Sequence, residues 1–84
     1  MSDPAKLPTR AAILCGEHAF RVFVAGRLDL GPVPVTVEAA AEYMRTACAI
    51  KSRRELAKNA DAAQRFEALR TDFDAWRGRI GQHR

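Results

Sequence analysis

The feature that most constrains this chain is an apolar stripe near its C-terminal end. Ala62, Phe66, Leu69, Phe73, Trp76 and Ile80 recur at spacings of four and three, which puts them on one face of an α-helix. That stripe carries two phenylalanines and the only tryptophan of an 84-residue chain. Side chains of that size are the main driving force available to a small domain, so the rest of the chain must fold over them. The upstream segments are therefore read for faces that could supply the cover.

Asn59 can cap this last helix, with Asp61 in its first turn, and Asp61/Arg65 and Arg70/Asp74 form i,i+4 pairs on the outer face. Just before it, Ser52-Arg-Arg-Glu55 is a capping box that opens a short helix reaching about Lys58. Thr36 caps a helix over about Val37–Ala49, with Glu38 in the first turn. Its stripe of Val37, Ala40, Ala41, Met44, Ala47 and Cys48 is small enough for another helix to approach closely.

Further upstream, Pro8-Thr9 marks a helix start with Thr9 as N-cap. Arg10–Cys15 continues it and Gly16 ends it as a C′ residue. A second helix runs from about Glu17 to Arg27, with Phe20, Phe23, Val24 and Leu28 at helical spacing and a Glu17/Arg21 pair. The same stretch is β-branched and aromatic, so a β-hairpin at about 19–37, with Val33-Pro-Val-Pro-Val37 as its edge strand, is the alternative. In the helical reading, the segment with Gly26, Gly31, Pro32 and Pro34 is a loop. These elements predict an all-α fold, a compact orthogonal bundle of four or five short helices. Residues 1–8 form a flexible leader, 9–80 the single domain and 81–84 a frayed basic tail.

The segment Cys48-Ala-Ile-Lys-Ser-Arg-Arg-Glu-Leu56, followed by Asn59, Ala63, Phe66, Leu69, Phe73 and Trp76, resembles a group of small helical proteins of bacteriophages and prophages. These pair a Cys-Gly-hydrophobic turn and a Ser-Arg-x-Glu-Leu box with a terminal helix of this pattern. Arg10–Val24 fits their N-terminal helices more loosely, and the likeness spans about two thirds of the chain. It implies a helical fold and a mobile-element origin, and carries no activity. The chain departs from it at Ala49, where glycine is usual.

Hydrophobic residues make up 48% of the chain, the share of an ordinary globular domain. The first ten residues, MSDPAKLPTR, lack the apolar run of a secretory leader, and no run approaches the length of a membrane span. With only Cys15 and Cys48, and no CxxC spacing, the expectation is a cytoplasmic protein with two reduced, buried thiols; a structural disulfide is the alternative. The net charge of +4 is uneven: residues 1–50 balance five cations against five acids, and residues 51–84 hold nine against five.

No catalytic or metal constellation emerges. The histidines are His18 and His83; Cys15 and His18 lie three apart but straddle the Gly16 break, and two cysteines with two histidines match no metal-ligand spacing. No cofactor is expected, and the chain reads as a non-enzyme. The one constellation above background is cationic. Lys51, Ser52, Arg53, Arg54 and Lys58 crowd a helix start, where free amides also attract anions, and Arg77, Arg79 and Arg84 extend the patch. This predicts an accessory binding protein that contacts a host or defence protein through the cluster. Nucleic acid bound by the same cations is the alternative, less favoured because +4 is modest and no aromatic is interleaved for base stacking. The apolar stripe leaves assembly open: a homodimer burying Trp76 and Ile80, with Tyr43 as a second contact, or a monomer in which the N-terminal helices cover the stripe.

Overall fold

Residues 4–81 are described by the computed structural model, with side chains from 5 to 78. Four α-helices follow one another: α1 (Leu7–Gly16), α2 (His18–Arg27), α3 (Val37–Cys48) and α4 (Ala60–Gly81). Two 3-10 segments join them, Pro4–Lys6 before α1 and Arg53–Ala57 between α3 and α4. No strand occurs among the described residues, and the all-α expectation holds. The 22 residues of α4, at about 1.5 Å each, make it by far the longest described element, comparable in length to the 35 Å longest dimension of the molecule. The shortest dimension is 17 Å, about two helices thick.

The centre of the core is the predicted one, and Leu7, Leu14, Ile50 and Leu56 join it. Phe66, Leu69 and Phe73 of α4 are buried against Phe20, Phe23 and Val24 of α2 and Ala40, Ala41, Met44 and Cys48 of α3. Four of the aromatic rings interlock. Phe73 meets Phe20 edge-on at 5.2 Å and Phe23 at 5.4 Å, while Trp76 stacks on Phe73 at 6.0 Å and meets Phe23 at 5.4 Å. On α3 the buried arc is narrower than the sequence stripe: Val37, in the first turn, and Ala47 are exposed. Ile80 and Arg79 lie outside the described side chains, and residues 82–84 lie outside the described residues.

The caps largely follow the sequence. Thr36 Oγ1 accepts from the Ala39 N–H at 3.1 Å, and Asn59 Oδ1 from the Ala62 N–H at 3.1 Å. The capping box forms: Glu55 Oε2 accepts from the Ser52 N–H at 3.1 Å, and Ser52 Oγ from the Arg54 N–H at 3.3 Å. It opens a 3-10 segment rather than an α-helical turn.

Three details depart from the sequence reading, and one alternative to it falls. The start of α1 lies at Leu7, two residues before the expected Thr9 cap, and Leu7 is 2% exposed. Its burial recruits the presumed leader into the fold; residues 1–3 lie outside the described residues. Gly16 is the last helical residue of α1 and takes no left-handed conformation; the chain turns instead at Glu17, which is extended at φ −73° and ψ 132°. The hairpin alternative is excluded, since residues 18–27 are helical and meet the Val33–Val37 segment through the Val35 N–H to the Arg21 carbonyl at 3.2 Å. Prolines 32 and 34 supply no N–H with which to extend that contact into a ladder. Finally, the expected i,i+4 pairs give way to others: Arg65 donates to the Cys48 carbonyl at 3.3 Å, Arg70 pairs with Glu67 at 3.9 Å and Glu17 with Arg77 at 3.9 Å.

Candidate functional site

The predicted cationic cluster is gathered by two turns in succession. At the end of α3, Ala49 adopts the left-handed conformation at φ 59°, and the Ile50 N–H donates back to the Arg45 carbonyl at 2.9 Å. That reversal returns the chain alongside Arg45 before it enters Lys51 and Ser52. The capping box then fixes Arg53 and Arg54 at the start of the 3-10 segment, which packs on α1.

The result is an open groove of about 520 Å³. Arg45, Lys51, Arg53 and Arg54 line it together with the hydroxyl-bearing Thr9 and Ser52, and Pro8 and Ala12 of α1 complete the wall. Among the described residues no carboxylate lines it. Glu42, which is not among the lining residues, pairs with the Arg45 guanidinium at 2.8 Å, so one of the four cations already has a partner. The groove can therefore receive a carboxylate or phosphate on side-chain donors, and arginine forks suit either in a two-bond geometry.

Backbone amides contribute less than the sequence suggests. Glu55 Oε2 already accepts from the Lys51 N–H at 2.9 Å as well as from Ser52. A carboxylate of the chain thus occupies the place where a helix start would bind an anion, and the segment is only five residues long.

The other predicted members do not join this groove. Lys58 lines a separate cleft of about 700 Å³ beside Leu7, Leu56 and Asn59, because the 3-10 segment carries it round the corner into α4. Arg77 sits over the Phe73 ring at 5.1 Å and pairs with Glu17. Arg79 lies outside the described side chains. Arg45, Thr9 and Pro8 are additions that the sequence reading missed. The signal for Arg45 was present, since a helix ending in a left-handed turn brings its last cation beside the residues that follow. The α1 wall had no local signal, because it arises from tertiary packing.

The thiols are withdrawn from the surface. Cys15 and Cys48 are free and fully buried. Burial raises the Cys15 thiol above its ordinary range, against the pull of the Arg53 and Arg45 guanidinium groups. Burial pushes Cys48 up to about 11, with Arg65 pulling it down and Cys15 adding a smaller upward push. Both are protonated at neutral pH, the unreactive form. His18 lies exposed across the Glu17 turn from Cys15. No described helix is long and apolar enough to cross a membrane. Of the residues set down for a dimer contact, Tyr43 and Trp76 are partly buried against the chain's own core. Comparison with protein-family models, curated proteins and solved structures finds no match.

Proposed function

We propose that this chain is a non-enzymatic accessory protein of phage or prophage origin that acts by binding a host or defence protein and altering its action. The observation that carries the reading is the groove itself: four cations from α3 and the capped turn converge with no carboxylate among the lining residues. Assembling like charges in one place costs self-repulsion that an anionic partner would relieve. The likeness of the Cys48–Leu56 box and terminal helix to small phage and prophage proteins supports the origin.

The test is affinity capture from nuclease-treated bacterial lysate, read by mass spectrometry, with the wild type beside Arg45→Glu/Arg53→Glu/Arg54→Glu. The reading expects a protein retained by the wild type and lost by the variant. Retention that survives all three reversals would remove the groove from the contact. Nucleic acid is the second reading, favoured by the arginines and the Thr9 and Ser52 hydroxyls that could serve phosphates. It expects duplex DNA to bind with a steep salt dependence, at a Kd around 10⁻⁴–10⁻⁶ M or tighter at physiological salt.

A further inference from the structure

The solvent side of α1 does not look like a solvated helix face. Leu7, Ala11, Leu14 and Cys15 form its core side. On the opposite side Thr9, Ala12, Ile13 and Gly16 share a face and are all exposed, with no charge among them. Ile13 is 61% exposed, and a Cβ built on Gly16 would meet nothing within 4 Å. Small side chains around one exposed isoleucine leave room for another helix to pack closely there.

Charges flank this stripe rather than interrupt it. Thr9 and Ala12 form a wall of the groove that holds Arg45, Lys51, Arg53 and Arg54. On the other side Arg10 and Ile13 edge a second cleft of about 170 Å³, which Leu14, Arg70 and the acidic Glu17 also line, so the cationic flank is the groove side. The nearby acids already face cations of the chain: Glu42 meets Arg45 at 2.8 Å, Glu67 meets Arg70 at 3.9 Å and Glu17 meets Arg77 at 3.9 Å.

We infer that the outer face of α1 is a docking surface for an acidic amphipathic helix of a partner protein. Apolar side chains of that helix cover Ala12, Ile13 and Gly16, and carboxylates along its one edge reach Arg53 and Arg54. This rests on the binding reading above and specifies the chemistry that the partner presents. Ala12 and Gly16 let a second helix axis come close, and the arginine forks match carboxylates. Charge argues against a second copy of this chain in that place: the groove edge of the face holds four cations and no carboxylate among its lining residues, so two copies would set those cations against each other. A nucleic-acid backbone would use the cations but gain nothing from an isoleucine exposed between them.

The experiment selects a displayed library of random 18-residue peptides on the immobilised full chain, then measures the recovered peptides by fluorescence anisotropy. Ile13→Asp and Ala12→Arg change the stripe, and Arg53→Glu/Arg54→Glu changes one flank; circular dichroism confirms that each variant keeps its helices. The expected result is enrichment of peptides with Asp or Glu beside Leu, Ile or Phe at i, i+3 and i+4 spacing. Their binding should fall at least tenfold in every variant. Three results would overturn the inference. One is the absence of acidic amphipathic peptides from the enriched pool; if groove reversal still abolishes partner capture, the binding function then stands without this docking mode. Another is peptide binding indifferent to Ile13→Asp and Ala12→Arg. The third is a 20-base-pair duplex that outcompetes the peptides and ignores the stripe variants, which would make the face a nucleic-acid surface.

Discussion

Ala49 is the residue whose conformation its side chain suits least. It sits at φ 59°, a left-handed conformation that costs an L-residue about 1–2 kcal/mol and glycine almost nothing. Ala49 is exposed and its N–H already bonds the Thr46 carbonyl at 3.2 Å, so the turn needs no alanine methyl. Ala49→Gly should therefore stabilise the fold by about 1 kcal/mol, partly offset by the looser unfolded chain. In a domain of this size that raises the Tm by roughly 4–8 °C, which a thermal melt would resolve. A second prediction concerns Cys48, whose thiol is raised to about 11 by burial. In the unfolded chain a thiol titrates near 8.5, so between these values the native state holds the proton that the unfolded state has lost. Stability then falls as pH rises, starting near 8.5 and levelling off above 11. Urea midpoints measured from pH 7 to 10.5 should decline less steeply in Cys48→Ala than in the wild type.

Among the elements, α4 and the capped turn were legible because their signals are local. A stripe at spacings of four and three needs only one helix to be recognised, and Ser52–Glu55 satisfies its own amides whatever surrounds it. Phe66 shows how far that local signal reaches into energetics. It is fully buried at the centre of the α4 stripe, and Phe66→Ala should cost about 3–5 kcal/mol by denaturant titration. The start of α1 was misread for the opposite reason. Pro8 and Thr9 offered a plausible cap, whereas the true N-cap, Lys6, makes no side-chain hydrogen bond. What holds the first turn is Leu7 packing into the core, a tertiary effect with no local marker. Leu7→Ala should accordingly cost about 2–4 kcal/mol, where a residue in a loose leader would cost nothing measurable. The site divides along the same line. Lys51–Arg54 are contiguous and could be read directly; the contribution of Thr9 depended on where α1 packs, and Lys58 was lost to a turn that no composition signals.

At the scale of the whole molecule, the open matter in the sequence was whether one copy could cover the α4 stripe. The fold supplies the cover as far as Trp76. Its ring stacks on Phe73 and meets Phe23 edge-on, and the side chain is only partly exposed. A tryptophan engaged in this way belongs to the core of its own chain, and little of it remains for a partner copy to bury. Sedimentation at micromolar concentration should therefore give the 9.3 kDa monomer mass. Trp76→Ala then distinguishes the two arrangements. In a monomer it removes a largely but not fully buried ring, so it should cost about 2–3 kcal/mol, less than the 3–5 kcal/mol of a fully buried one, and lower the Tm without changing the mass. In a dimer that buries this end, Trp76 would instead be among the few aromatics in which interface energy concentrates. The same substitution would shift a dimer mass toward monomer, and the wild-type Tm would rise with protein concentration. A concentration-independent Tm, together with an unchanged mass in Trp76→Ala, is the outcome that this packing predicts.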